Sequence, residues 1–493
     1  MPKDGTIVPL FSGGTKGLSP VISAQRRTNL YVDAAQSDAD KGRLALCGRP
    51  GFDYFTSVGL QTWHSGGVTA RGMLRRSMNV TRTTAPVFSD PGFIAIGNSI
   101  ATVTVSSKAT VAEVFQMQTE SGYVSFDNDT TYVVAVDGVT GYAVNANTLT
   151  GYTFATTGSA AGFPAGATTC CMLAGRMIVN KVNTGRFYWS SANDPLTWSS
   201  LDYATAEISP DNLLAVTVDH GELLLMGNTT TEFWSPSGGS QPFARVSGAA
   251  LEYGITAIGS IVNMSDGTMF LARNAGGDTR VLMVAGSSGK PVSTPAIETE
   301  IEHMADPSGG IGTTLTANGR TFYLLSFDER TLAYNMTDGE WGYWQTGVND
   351  GPWMAKFGSL IQGKYVAMDA TRNRVYVMNS DSAYDGDDAI VREVVTKHVN
   401  ADFDRTTIDR LGLDFETGVG SVAGSDPMVM LQVSRDNGRT WGNEVWASLG
   451  KLGNYGLRVW FRMLGRSRDW LFKIRWTDPV LTTLVGGSIK VRP

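Results

Sequence analysis

The sequence predicts an almost entirely β protein, and two observations support this prediction. Glycine is abundant, with 57 residues in a chain of 493, while charged residues make up only 17%. The apolar segments are short, rich in Val, Thr, Tyr and Phe, and bounded by Gly, Asn, Asp and Ser, which is typical of many short strands joined by turns. A chain of this length has room for two or three domains, each with a core of its own.

A repeated pattern in the middle of the chain indicates the architecture. The residues that open its apolar strands are Gly92, Asp129, Gly175, Gly221, Gly267, Gly319 and Gly363. From Gly175 to Gly267 the openings recur every 46 residues, which suits a unit of four strands. Because a four-stranded unit cannot bury both faces alone, we expect a β-propeller of six or seven blades over residues 66–385. The alternative is an irregular stack of β-meanders, since the period drifts by several residues.

The segments on either side of the repeat have different patterns. Residues 1–65 lack the repeat and are rich in Gly, Ser and Pro, so we expect an extended N-terminal arm that docks on other elements. The acidic run at 379–389, which includes Asp385, is interpreted as a solvated linker. Residues 386–493 are predicted to form a smaller C-terminal β-sandwich that serves as an interaction domain.

Charge is distributed unevenly along the chain. The net charge is −6, but from Arg439 onward ten Lys and Arg face three Asp and Glu, which leaves a net of −13 for residues 1–438. The acidic total argues against a general DNA-binding protein. The basic character is confined to the C-terminal module.

No motif in the sequence indicates catalysis. The chain has no phosphate-binding glycine loop, no nucleophile elbow and no pair of histidines at metal-ligand spacing. Carboxylates such as Asp404, Asp409, Asp414 and Glu416 have no spacing that singles out a catalytic pair. We therefore expect no enzyme activity, no cofactor and no metal.

The sharpest local motif fits the pattern S-x-D-x-G-x-T-W, known as the Asp box. Its members are Ser434, Asp436, Gly438, Thr440 and Trp441. We expect a hairpin turn in which the Ser and Asp side chains bond to the backbone, the glycine supplies an unusual φ and the tryptophan packs beneath. The motif is similar to the boxes of sialidase propellers, so a carbohydrate-active propeller is an alternative function. Its single copy, however, lies outside the predicted propeller.

A group of cations near the C-terminus forms the candidate interface. Its members are Arg458, Arg462, Arg466, Arg468, Lys473 and Arg475. In RVWFRML and WLFKIRW the cations alternate with apolar residues. If the two strands pair as a hairpin, five or six cations line one outward face, which suits an acidic protein surface or DNA phosphates. A solvated face that keeps a sheet edge unpaired is the other interpretation.

The sequence also bears on where the protein is made. It begins without an apolar signal core and has no run of about 18 apolar residues. Its three cysteines include the adjacent pair Cys170 and Cys171, which does not suggest a disulfide framework. We expect assembly in a reducing cytoplasm, without membrane insertion of its own.

Three stretches of the chain are similar to one known family. They are TNLYVDAA with LCGRPGF near the start, the run from GELLLMGNTTTEFWSPSG to PAIETEIEHM, and the C-terminal module that begins at RLGLDF. Together they resemble the tail-hub, or packaged-DNA stabilisation, proteins of short-tailed bacteriophages. The resemblance implies a structural virion protein that has no active site.

The same resemblance implies partners. The family forms a homo-hexameric ring, or nozzle, below the portal and its adaptor ring, and such a ring retains packaged DNA and forms the exit channel of the genome. A tail needle or plug closes the tube, and tail fibres or tailspikes attach to the outer surface. A receptor-binding tail protein is a further alternative, although the sequence shows no fibrous repeat.

Overall fold

The structure is a computed structural model, and it describes residues 6–7, 13–34, 44–57, 69–74, 91–105, 109–154, 158–206, 208, 211–239, 241–372, 374–400, 404–419 and 425–492. Within the described residues, the N-terminal arm contains five short strands. They are β1 (Thr6–Ile7), β2 (Arg26–Thr28), β3 (Leu30–Ala34), β4 (Leu44–Gly48) and β5 (Gly51–Ser57).

Seven sheets follow the arm, and the first four have four antiparallel strands each. The first contains β6 (Ala70–Met73), β7 (Gly92–Ile96), β8 (Ser99–Val105) and β9 (Ala109–Gln116). The second contains β10 (Ser125–Asn128), β11 (Tyr132–Val136), β12 (Gly141–Asn145) and β13 (Gly151–Thr153). The third contains β14 (Cys170–Leu173), β15 (Arg176–Asn180), β16 (Arg186–Ser191) and β17 (Asp194–Thr205). The fourth contains β18 (Leu213–Asp219), β19 (Glu222–Gly227), β20 (Thr231–Pro236) and β21 (Phe243–Leu251).

The remaining three sheets of the series are more elaborate. The fifth contains β22 (Gly254–Ile255), β23 (Val262–Met264), β24 (Gly267–Arg273), β25 (Thr279–Ala285) and β26 (Ser288–Pro291), and helix α1 (Pro295–Glu302) follows it. The sixth begins with β27 (Ile311–Ala317), β28 (Arg320–Ser326), β29 (Thr331–Asn335) and β30 (Glu340–Trp344). The seventh contains β31 (Ala355–Ile361), β32 (Lys364–Asp369), β33 (Arg374–Asn379), β34 (Tyr384–Asp385) and β35 (Asp388–Ala389). Among the described residues, no helix is long and apolar enough to cross a membrane.

The seven sheets close into a ring, so the predicted all-β fold with a propeller is confirmed and the structure has seven blades. A buried apolar cluster lies between each sheet and the next. The closing cluster joins Ile94 and Val103 of the first sheet to Val366 and Val375 of the seventh. Each strand opening found in the sequence marks the strand that is second in the spatial order of its sheet, as at Gly175, whose φ of 73° suits the turn before β15.

The arm supplies the fourth strand of the seventh blade, between β33 and β34. Strand β5 pairs antiparallel with β33, with Phe52 opposite Met378. Phe52 is fully buried and its ring lies 5.2 Å from that of Trp353 and 6.2 Å from that of Tyr365. A strand from near the start of the chain therefore completes a blade built from residues more than 300 positions later.

The C-terminal strands form a sandwich. They are β36 (Arg392–Val395), β37 (Val399–Asn400), β38 (Thr406–Phe415), β39 (Met428–Ser434), β40 (Val445–Ser448), β41 (Val459–Ser467), β42 (Asp469–Trp476) and β43 (Leu484–Arg492). One sheet has the order β3-β4-β43-β38-β41, with β1 added on β43. The predicted β-sandwich is thus confirmed, and the arm contributes three strands to it. Leu30, Val32 and Leu46 of the arm lie in its core.

The other sheet of the sandwich is continuous with the propeller. Strand β2 pairs with β30 of the sixth blade on one side and with β36 on the other. The sheet then continues through β42 and β39 to β40. Because one hydrogen-bonded sheet crosses the junction, the two domains are joined through backbone bonds as well as through side chains.

Candidate interface of the C-terminal sandwich

The two strands that carry the predicted interface belong to different sheets. Strand β41 pairs with β38, whereas β42 pairs with β36 and β39. The prediction that β41 and β42 form one hairpin with cations along one face is therefore wrong. Their apolar residues, among them Phe461 and Phe472, face each other across the sandwich core. Large aromatic side chains bury more surface between two sheets than within one hairpin.

The cations of β41 lie on the outer surface of its sheet. Arg462 and Arg466 are exposed, as is Arg458 just before the strand. Arg462 is directly opposite Arg410 of β38. Like charges in this position repel each other. The Arg410 guanidinium lies over the ring of Trp460 at 4.6 Å, which offsets part of this repulsion.

The cations of β42 lie on the outer surface of the other sheet and are half-buried. The Lys473 ammonium lies 4.3 Å from the ring centre of Trp441, and burial lowers the pKa of Lys473. A guanidinium N–H of Arg475 donates to the carbonyl oxygen of Val348 at 3.1 Å, which ties the sandwich to the propeller. Arg468 is exposed in the turn between the strands. The six predicted residues are thus distributed over two opposite surfaces and the connecting turn.

The Asp box forms the turn between β39 and β40. The Gly438 N–H donates to Ser434 Oγ at 2.9 Å, and the Thr440 N–H donates to Asp436 Oδ1 at 2.9 Å. Gly438 has a φ of 81°, which favours glycine. Hydrogen bonds from the Thr440 hydroxyl and N–H and from the Ser434 hydroxyl lower the pKa of Asp436 to about 2. Trp441 contacts Lys473 of the adjacent strand, so the motif positions both the turn and a cation.

Sequence reasoning missed a buried polar cluster at the junction of arm, propeller and sandwich. Arg49 is fully buried, and its Nη1 donates to Asp385 Oδ1 at 2.9 Å. Its Nε donates to Asn29 Oδ1 at 2.8 Å, and its Nη2 donates to the Gln345 carbonyl at 3.0 Å. The interpretation of Asp385 as part of a solvated linker is wrong, because this carboxylate is only 2% exposed. A buried arginine needs such a counter-ion.

Asn29 holds the same cluster to the sandwich. Its side-chain amide donates to the carbonyls of Gln345 at 2.9 Å and of Val391 at 2.7 Å. Its φ of 57° is in the left-handed region, which asparagine tolerates better than most residues. Nearby, Arg392 is fully buried, and desolvation, with the charge of Arg49, lowers its pKa to about 10. The signal for this cluster was present in TNLYVDAA and LCGRPGF, which contain Asn29 and Arg49.

Two family models match the chain, and together they cover most of it. The model of the β-propeller of bacteriophage P22 Gp10 matches residues 68–383, and the model of the β-sandwich of the same protein matches residues 391–492. No curated protein sequence matches the chain.

Solved structures similar to this chain include several propellers. The WD40 β-propeller domain of Doa1 has a TM-score of 0.40 and 10% identity, over 67% of this chain and 97% of that one. The Neurospora crassa Pan2 WD40 domain has a TM-score of 0.41 and 8% identity, over 67% of this chain and 94% of that one. The extracellular domain of the putative one component system BT4673 from B. thetaiotaomicron has a TM-score of 0.42 and 9% identity, over 82% of this chain and 48% of that one. Because the two family models cover well over half of the sequence, the chain belongs to the bacteriophage P22 Gp10 family of phage tail structural proteins.

Proposed function

We propose that the protein is the subunit of a hexameric tail hub, or nozzle, below the portal and adaptor rings of a short-tailed phage. In this position it retains packaged DNA, forms the exit channel of the genome together with a needle or plug, and anchors tail fibres or tailspikes. The observation that supports this proposal most is the match of both domains to one phage tail family. The protein would act in the virion tail and be assembled in the host cytoplasm, as a structural component and not as an enzyme.

The construction of the chain supports a mechanical role. A continuous sheet crosses from the sixth blade into the sandwich, and the Arg49 cluster ties arm, propeller and sandwich at the same junction. Buried ion pairs and shared backbone hydrogen bonds resist relative motion of the domains they join. A subunit that retains pressurised DNA needs this stiffness.

We further propose that the exposed arginines of the sandwich contact an acidic protein surface. A channel that must release DNA gains little from cations that hold phosphates tightly. Arg458, Arg462, Arg466 and Arg468 are exposed, whereas Lys473 and Arg475 are half-buried and already contact Trp441 and Val348. The four exposed arginines are therefore the residues to change, because their loss leaves the core intact.

DNA retention tests the proposed function. Heads that are filled in the absence of this chain should lose their DNA to added nuclease, and purified chain should restore protection. Equal protection with and without the chain would rule out the stabilising role. The assay should include hydrolysis of a sialoside, since such activity would favour the carbohydrate-active alternative.

The arginine variant tests the partner. Replacing Arg458, Arg462, Arg466 and Arg468 together by Gln should reduce incorporation of the chain into particles while the isolated chain remains folded. Replacing the exposed propeller residues Arg186, Arg245, Arg273 and Lys290 by Gln provides a control with the same charge change. If the sandwich variant is incorporated normally but its filled heads leak DNA, the contact is with the genome and not with a protein.

A further inference from the structure

The sandwich has one edge at which both sheets end. Strand β41 is the last strand of one sheet and β40 is the last strand of the other. The two strands lie against each other at this edge. Neither continues into a further strand among the residues that the structure describes. Such an edge is a natural place for a partner to bind.

Apolar side chains are exposed along this edge. Met463 of β41 is 88% exposed, and Val445 and Trp446 of β40 are 49% and 56% exposed. Exposed tryptophan and methionine are enriched at protein interfaces and depleted at ordinary surfaces. We call Val445, Trp446 and Met463, with the flanking Arg462 and Arg466, the Met463 edge.

The backbone at Met463 is held in an unfavourable conformation. Met463 has a φ of 55°, which is uncommon for any residue other than Gly, Asn or Asp. The β38–β41 pairing has a β-bulge between Ile408 and Arg410, opposite this part of β41. A guanidinium N–H of Arg435, which lies within the Asp box between Ser434 and Asp436, donates to the Leu464 carbonyl and fixes the bulge to the turn. A bulge that turns a methionine outward, at a cost in strain, is typical of a functional position.

The arginines beside Met463 are exposed, and Asp409 lies on the adjacent strand β38, between the partners of Gly465 and Arg462. Within the described ranges, Arg458, Arg462 and Arg466 form no ion pair with a carboxylate. By contrast, residues 66–385 of the propeller contain 28 Asp and Glu against 18 Lys and Arg, a net of −10. Surfaces of opposite charge select each other and orient the encounter.

We propose that the Met463 edge docks on the acidic propeller of a neighbouring copy of the chain. This inference rests on the proposed tail-hub function, because it names the contact that joins subunits in the ring. Contact between two different surfaces of identical subunits closes into a ring when the rotation between them is suitable. DNA phosphates would attract the arginines but would leave Met463 and Val445 without apolar contacts, so a protein partner is favoured.

A glycine substitution separates docking from folding. Met463→Gly removes the exposed side chain and suits the positive φ, so the isolated chain should be as stable as the wild type or more stable. Its assembly into rings on the portal–adaptor complex should nevertheless fall by roughly tenfold, as expected for a central apolar contact. Ile22→Gly is the control, because Ile22 is 80% exposed on the arm, outside both proposed surfaces, and its assembly should be unchanged.

Cross-linking identifies the molecule that binds at the Met463 edge. A photo-reactive amino acid at position 463 of the full-length chain, irradiated in assembled tails, should form dimers of this chain, and the linked peptide should lie within residues 66–385. Linkage to another tail protein or to DNA would overturn the assignment, as would rings of Met463→Gly formed in normal yield. If the wild-type chain forms no ring at all, the proposed tail-hub function is wrong. If it forms rings that cross-link from position 463 to another surface, only the docking assignment is wrong.

Discussion

The propeller and the sandwich bury their apolar surface in different ways. In the propeller, each of the seven sheets packs between two neighbours, so the ring closes on itself. The sandwich has two sheets only, and they end together at an edge with Met463 and Trp446 exposed. The propeller region is acidic, whereas the sequence from Arg439 onward is basic. The closed propeller is suited to act as a scaffold. The sandwich, whose edge is open, can bind another protein without unfolding.

The arm contributes strands to both domains, so the propeller and the sandwich are not structurally independent. It completes the seventh blade through β5, joins the two domains through β2 and adds β1, β3 and β4 to the sandwich. Changes in the arm should therefore affect both domains, whereas changes in the Asp box should affect the sandwich alone. The following predictions test this distinction.

The largest effect is expected from Arg49→Met. It leaves Asp385 buried without its counter-ion, and breaking a buried ion pair costs about 3–5 kcal/mol in free energy of unfolding. The loss should be seen in chemical denaturation monitored by tryptophan fluorescence. Arg49→Met combined with Asp385→Leu should recover much of it, because no buried carboxylate is then left without its counter-ion.

The matched control for Arg49 is the exposed pair of Arg374 and Asp387. The Arg374 side chain is 35% exposed and the Asp387 side chain is 83% exposed. Arg374→Met should cost at most about 1 kcal/mol. Equal losses for Arg49→Met and Arg374→Met would show that the buried cluster does not hold the domains together.

Phe52→Ala should open the ring at its closing blade. Removing a buried phenylalanine side chain costs about 3–5 kcal/mol, since a cavity is left between Trp353 and Tyr365. Tyr54→Ala on the same strand is the control, because Tyr54 is 45% exposed. Proteolysis should cleave the Phe52→Ala variant within the propeller faster than the Tyr54→Ala variant. Similar rates for both would contradict closure by β5.

Asp436→Ala should destabilise the sandwich in a way that depends on pH. The folded pKa of about 2 lies below the usual 3.8, so the carboxylate contributes stability above pH 3.8 and loses it as the pH falls through about 2. The denaturation midpoints of wild type and variant should therefore differ at pH 6 and converge near pH 2. Asp328→Ala, at a propeller side chain that is 88% exposed, should show no such convergence. A constant difference between wild type and Asp436→Ala at all pH values would contradict the turn geometry.

The sequence predicted the local features of the fold, such as turns and hairpins, but not the pairing of strands that lie far apart in the chain. Regular openings such as Gly221 and Gly267 revealed the blades because each hairpin repeats the same turn chemistry. Nothing in the local sequence of β5 indicates its pairing with β33, since pairs that far apart have no periodic signal. Asp385 was misread because a buried and a solvated aspartate look alike in an acidic run. The hairpin of β41 and β42 was misread because alternation shows which side chains share a face and not which strand is the neighbour.

The measurement that tests the account most directly is the number and symmetry of copies in the assembled tail. Native mass spectrometry and negative-stain imaging of the full-length chain on the portal–adaptor complex should show six copies in a six-fold ring, with each sandwich against the propeller of the next subunit. High salt should weaken this contact, because exposed charges are screened over about 8 Å at physiological ionic strength and over less when salt is added. A single bound copy, a trimer, or a ring in which the sandwiches contact no propeller would contradict the account.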